Sequence, residues 1–192
     1  MKKGLISGRS TARSGFTLIE LLVVVSITAL LTGFAVAAFS NFSRSQRLVQ
    51  SSQDLKAALK DAQGRSLSSV DGLNWGVRLV LNQSDFEIFA SPSLSYNAAA
   101  QKLSKQLASG VVVSDLTLQS SNLVSVVFSV ISGSVAFTSD DGTCLGGSAD
   151  SSCGGGTSCL AIGVNLQGSL NKRYLKVNER NIFEDSALTP CP

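Results

Sequence analysis

The chain has 192 residues, enough for one modest domain with a tail or an anchor, and 44% of them are apolar against 15% charged. Its 16 basic and 13 acidic residues give a formal charge of +3, yet Lys2, Lys3, Arg9 and Arg13 all precede Gly15 and no acidic residue does. Without residues 1–15 the charge is −1, which removes the electrostatic support for a nucleic-acid binder, and the lack of histidine removes the commonest general base and zinc ligand.

From Leu21 to Phe39 no charged residue interrupts an apolar run. About 20 such residues span the ~30 Å hydrocarbon core as a helix, and the upstream cations favour a cytoplasmic N-terminus. Ala35-Val36-Ala37 is a formal match to a signal-peptidase site, but the run is long and helical character continues beyond it. Glu20 lies just inside the run, where a carboxylate costs on the order of 2.5–3.5 kcal/mol unless partnered or near the interface. It is one helical turn from Phe16, whose amine would become a cation if the chain were cut after Gly15.

The string Gly15-Phe16-Thr17-Leu18-Ile19-Glu20-Leu21-Leu22-Val23-Val24 resembles the signature of type IV prepilins. The resemblance implies that a membrane aspartyl protease, the prepilin peptidase, cuts between Gly15 and Phe16 and N-methylates Phe16. It also implies that Glu20 meets the N-terminus of a neighbouring subunit in a filament. The implied partners are other pilin or pseudopilin subunits, the prepilin peptidase and an inner-membrane assembly platform. The implied location is single-pass in the inner membrane, then an extracytoplasmic filament, either a surface pilus or a periplasmic pseudopilus. The leader of 15 residues is longer than in many members of that family.

No proline precedes Pro92, so a helix can run from Phe16 to about Ser69. In its second half Leu48, Ser52, Leu55, Leu59, Ala62 and Ser66 recur at helical spacing, with Arg44, Arg47, Gln53, Lys56, Lys60 and Asp61 on other faces. The expected divisions are a leader at 1–15, a transmembrane half-helix at 16–42, an amphipathic half at 43–69 and a β-rich head at 70–192. Trp75 to Leu81 and Phe86 to Ile88 read as a hairpin about a polar turn, and Asn97 to Ala108 as weakly helical. Further strands are expected at 111–118, 123–131, 135–138, 160–166 and 172–177. The fold class is therefore α+β, a pilin-like long helix packed on six or seven antiparallel strands in a sheet or sandwich.

The Gly/Ser/Asp-rich run from Ser139 to Cys159 looks unable to contribute to a core and in need of cross-linking. All four cysteines, Cys144, Cys153, Cys159 and Cys191, lie in the last quarter, and export makes two disulfides the expectation. Three pairings are open; Cys144 with Cys153 and Cys159 with Cys191 is the preferred one. The cysteine spacing lacks the close pairs of a zinc site, and Asp140, Asp141 and Asp150 match no calcium loop, so neither a metal nor another cofactor is expected.

Along β-like residues 172–180, Lys172, Tyr174, Lys176, Asn178 and Arg180 share one face by period two. Cations with an aromatic can hold single-stranded DNA, while a solvated sheet edge gives the same pattern. No nucleophile elbow or phosphate loop is present, so an enzyme is not expected. The head is most similar to the minor pseudopilin H and minor pilin T family. The residues carrying this are Asp61 to Ser66, Trp75-Gly76-Val77, Ser109 to Val113, Phe128 to Gly133 and Arg173 to Asn178, although Glu179-Arg180 stands where that family often has Gly-Arg. That resemblance implies a minor pilin or pseudopilin. A major pilin and a DNA-binding minor pilin for transformation are the alternatives.

Overall fold

Helix α1 (Leu18–Leu67) runs without a proline from the apolar segment into the amphipathic one. It is seen in a computed structural model that describes residues 15–118, 122–148, 153, 159–178 and 181–185. The chain divides into two compact units between Phe42 and Ser43.

In the first unit the large apolar side chains point outward; Phe16, Leu18 and Phe34 are each more than three-quarters exposed. This part of α1 is long and apolar enough to cross a membrane. Its few hydroxyls are consumed internally: Ser26 donates to the Leu22 carbonyl at 2.8 Å, Thr28 to that of Val24 at 2.9 Å, and Thr32 to that of Thr28 at 2.7 Å. These three hydroxyls are thereby satisfied within the helix, as a hydrocarbon solvent favours.

The second unit begins where α1 becomes amphipathic. Leu48, Ser52, Leu55, Leu59, Ala62 and Ser66, the face read from helical spacing, are all buried. The helix ends at Leu67, and a 3-10 turn (Val70–Gly72) leads into the first strand. Ser66 closes the seam, donating its hydroxyl to the Phe128 carbonyl at 2.8 Å and accepting from the Trp75 amide at 2.9 Å.

The strands are β1 (Asn74–Val80), β2 (Asp85–Ser91), β3 (Gln101–Gln106), β4 (Val111–Leu116), β5 (Leu123–Phe128), β6 (Val135–Thr138), β7 (Cys144–Gly147), β8 (Cys159–Leu166), β9 (Lys172–Asn178) and β10 (Ile182–Asp185). They form a six-stranded sheet, β3-β2-β1-β5-β6-β7, and a four-stranded sheet, β10-β9-β8-β4, with every pairing antiparallel. Leu55 and Leu59 of the helix share one core with Val77, Ile88 and Val126 of the larger sheet and with Val113, Ile162 and Leu175 of the smaller. The opposite face of the larger sheet holds Gly76, Phe89 and Val127 in register, with Tyr96 edge-on to Phe89 at 5.3 Å.

Four expectations are corrected. Asn97 to Ala108 is not helical: its middle forms β3, whose residues are all exposed but whose backbone pairs from Gln101↔Ala90 to Gln106↔Asp85. A short Ala-containing stretch has too little helical stability of its own to outweigh the hydrogen bonds that the open edge of β2 offers. The run after Ser139 does enter the fold, because β7 pairs with β6 and buries Gly146 and Gly147. Strand β10 was absent from the sequence reading, and the described residues contain ten strands instead of six or seven. Finally, β9 is no sheet edge, since it lies between β8 and β10.

Candidate functional site

The processing signature surrounds the start of α1. Gly15, Phe16 and Thr17 are outside regular structure, and the helix begins at Leu18. Thr17 caps it: its Oγ1 accepts from the Glu20 amide at 3.3 Å, and its carbonyl accepts from the Leu21 amide at 3.2 Å. The Gly15–Phe16 bond therefore lies outside the cap, in backbone that is not part of the helix. Glu20 is exposed in the first helical turn, where the unpaired N–H groups favour a negative charge. Thr17-x-x-Glu20 has the spacing of a capping box, a local reason for an acid here that the sequence reading overlooked.

The cations of β9 are placed differently from the open face read in the sequence. Tyr174 is 8% and Lys176 1% exposed. The Lys176 ammonium donates to Asp185 at 2.6 Å, and Lys172 donates to Asp115 at 2.9 Å, a bond that raises the Lys172 pKa. Lys176 presents its charge to β10 and not to solvent, so the described residues of this strand do not form the open basic face that a period of two suggests. Arg180 lies outside the described residues. On the same sheet Glu184 accepts from Arg173 at 2.7 Å and from Ser52 at 2.8 Å. Burial pushes its carboxyl up, but those two hydrogen bonds and the nearby cations outweigh it, and the net shift is downward.

Cys144 is disulfide-bonded to Cys153. Cys159 is also disulfide-bonded, while Cys191 lies outside the described residues. Asp140 and Asp141 are engaged in protein contacts. Both Asp140 oxygens accept from Arg78, at 2.7 and 2.8 Å, which raises the Arg78 pKa. The Asp141 carboxylate accepts from the Ser139 hydroxyl and, at 3.0 Å, from the Thr143 amide; together they lower its pKa to about 2. Asp150 is outside the described residues.

Around Arg78 a polar cluster fastens the loop after β2. The Tyr96 hydroxyl donates to Glu87 at 2.5 Å, and the Arg78 guanidinium and the Lys102 ammonium lie 4.6 and 3.8 Å from its ring centroid. Burial first, then the bond to Glu87, pushes the phenol up to about 12. No local pattern announces this cluster, because Arg78 and Asp140 are 62 residues apart.

Residues 10–36 match the family described as the prokaryotic N-terminal methylation motif. No curated protein and no solved structure matches the chain. The motif, the apolar helix that carries it and the disulfide-bonded α+β head support a type IV pilin-like precursor subunit. The motif points to a structural subunit, and the apolar helix is consistent with a membrane anchor.

Proposed function

We propose that the chain is a minor pilin or pseudopilin subunit of a type IV pilus or a type II secretion pseudopilus. Prepilin peptidase removes residues 1–15, cutting between Gly15 and Phe16, and N-methylates Phe16. Residues 16–42 hold the subunit in the inner membrane and then pass into the core of the filament. Residues 43–69 seat the head of residues 70–192. Glu20 contacts the N-terminus of an adjacent subunit, and Cys159 with Cys191 forms the second disulfide.

The observation carrying this reading is the methylation motif over residues 10–36, with an exposed carboxylate at Glu20 where the apolar part of α1 begins. A carboxylate facing hydrocarbon is costly, and an N-terminal amine one helical turn away is the group that offsets it. The test replaces Glu20 with alanine in cells that build the filament. Incorporation is expected to fail, while membrane insertion, cleavage and head folding persist. Normal incorporation of the variant would overturn the filament role, and a mature N-terminus other than methylated Phe16 would overturn the processing.

A further inference from the structure

Two adjoining recesses in the head, of about 500 and 390 Å³, share Arg44, Leu166 and Ser169 in their linings. Both volumes fall within the ~300–1,000 Å³ of small-ligand sites. Neither lining contains an acidic residue. Of the cations, Lys172 and Arg173 are neutralised by Asp115 and Glu184. Two are not. Arg44 is exposed and meets no hydrogen-bond or ion-pair partner among the described residues. Arg47, three residues on along the helix, gives one Nη1 bond to the Ser109 carbonyl at 3.2 Å, and its Nε is shut off from solvent without a partner.

At the turn between β8 and β9, Leu170 lines the same recess as Arg44 and is 97% exposed. One exposed leucine is ordinary. Beside two uncompensated guanidiniums it makes an amphipathic surface of the kind that binds bilayer interfaces. Chain connectivity supplies the bilayer. Arg44 is five residues past Phe39, the end of the apolar run, which is about 7.5 Å of helical rise. The headgroup layer on each side of the hydrocarbon is roughly 5–8 Å deep. Whatever the orientation of the head, Arg44 cannot be far from lipid phosphates while the helix is in the membrane.

We propose that Arg44 and Arg47 bind the phosphate of an anionic phospholipid of the anchoring membrane, with Leu170, which lines the same recess as Arg44, against that lipid. The inference rests on the reading of residues 16–42 as a membrane span. The contact belongs to the unassembled subunit and is given up when the helix leaves the bilayer for a filament.

The test uses the full mature chain in nanodiscs of equal parts phosphatidylglycerol and phosphatidylcholine, with retained lipids counted by native mass spectrometry. Wild type is expected to retain phosphatidylglycerol preferentially. Each arginine at an anionic surface contributes about fivefold, so Arg44→Gln with Arg47→Gln should reduce the preference about twenty-five-fold. Leu170→Asp should weaken retention as well. A matched loss of charge elsewhere, Lys60→Gln with Lys105→Gln, should leave the preference in place. If the double arginine variant does not fold, Arg44→Gln alone carries the test, because its side chain bonds to nothing among the described residues. Equal retention of both lipids, equal loss in the lysine control, or displacement of lipid by inorganic phosphate overturns the proposal. A wild-type chain that fails to enter nanodiscs overturns the membrane reading beneath it, whereas one that enters without preference overturns this proposal alone.

Discussion

The Thr17 hydroxyl accepts from the Glu20 amide at 3.3 Å, so the acid on which filament assembly would depend is also the third residue of a capped helix. The Thr17 cap and the proposed assembly role can be separated, because the cap uses the backbone of Glu20 and assembly uses its charge. Glu20→Gln should keep the helix start and membrane insertion intact while abolishing incorporation into a filament. Thr17→Val removes the acceptor and should cost about 1 kcal/mol locally. The expected signature is faster hydrogen exchange at the Glu20 amide in micelles. Cleavage at Gly15–Phe16 should continue, since that bond lies outside the cap. An uncleaved Thr17→Val chain would show that the protease reads the cap itself.

The turn before β7 supplies a pH dependence. Asp141 has a pKa of about 2 in the folded chain, held down by the Ser139 hydroxyl and the Thr143 amide, against roughly 3.9 for an unfolded aspartate. A depressed carboxylate stabilises the fold fully above the unfolded value, and the contribution is lost as pH falls from about 4 through about 2. Asp141→Asn should therefore lose this contribution at neutral pH and flatten this part of the acid limb, so that variant and wild type converge as pH falls towards about 2. A carbon-13 titration of the carboxyl group should show a midpoint near 2. A midpoint near the ordinary value would mean that the two hydrogen bonds do not persist in solution.

Local chemistry was legible in the sequence and distant pairing was not. The processing signature occupies ten consecutive residues, and the buried face of the helix from Leu48 to Ser66 repeats every three or four. The β1–β2 hairpin declares itself by alternation around a polar turn. By contrast, β3 shows no alternation of burial at all, and β7 ends in glycines that carry no side-chain signal. Their strand state comes from the neighbour each pairs with. The β9 face misled for a related reason. Lys176 looks solvent-bound until Asp185, on a strand the sequence does not reveal, takes up its charge.

The Cys144–Cys153 disulfide joins residues nine apart and secures the end of β7, the outer strand of its sheet. Closing a loop of that size contributes about 2–3 kcal/mol by restricting the unfolded chain. Replacing both cysteines with serine should lower the melting temperature and preferentially release the amides of β7. The β1–β2 amides should keep their protection until global unfolding. Uniform loss of protection across the larger sheet would show that the bridge supports the whole head and not its edge.

Gly76 is the position where the larger sheet has no room. A Cβ there would come 2.7 Å from the Val126 carbonyl oxygen and 2.9 Å from the Phe89 ring, which lies over the glycine. Gly76→Ala should therefore destabilise the head by about 1–3 kcal/mol, the usual cost of overpacking. Trp75, the chain's one tryptophan and a buried neighbour of the site, reports unfolding by fluorescence in denaturant. Phe89→Leu removes the ring but leaves the carbonyl, so combining it with Gly76→Ala should recover part of the loss attributable to the new methyl group. The double-mutant cycle should show a favourable coupling between the two substitutions. Purely additive losses would mean that the backbone oxygen, not the aromatic ring, is what excludes a side chain at position 76.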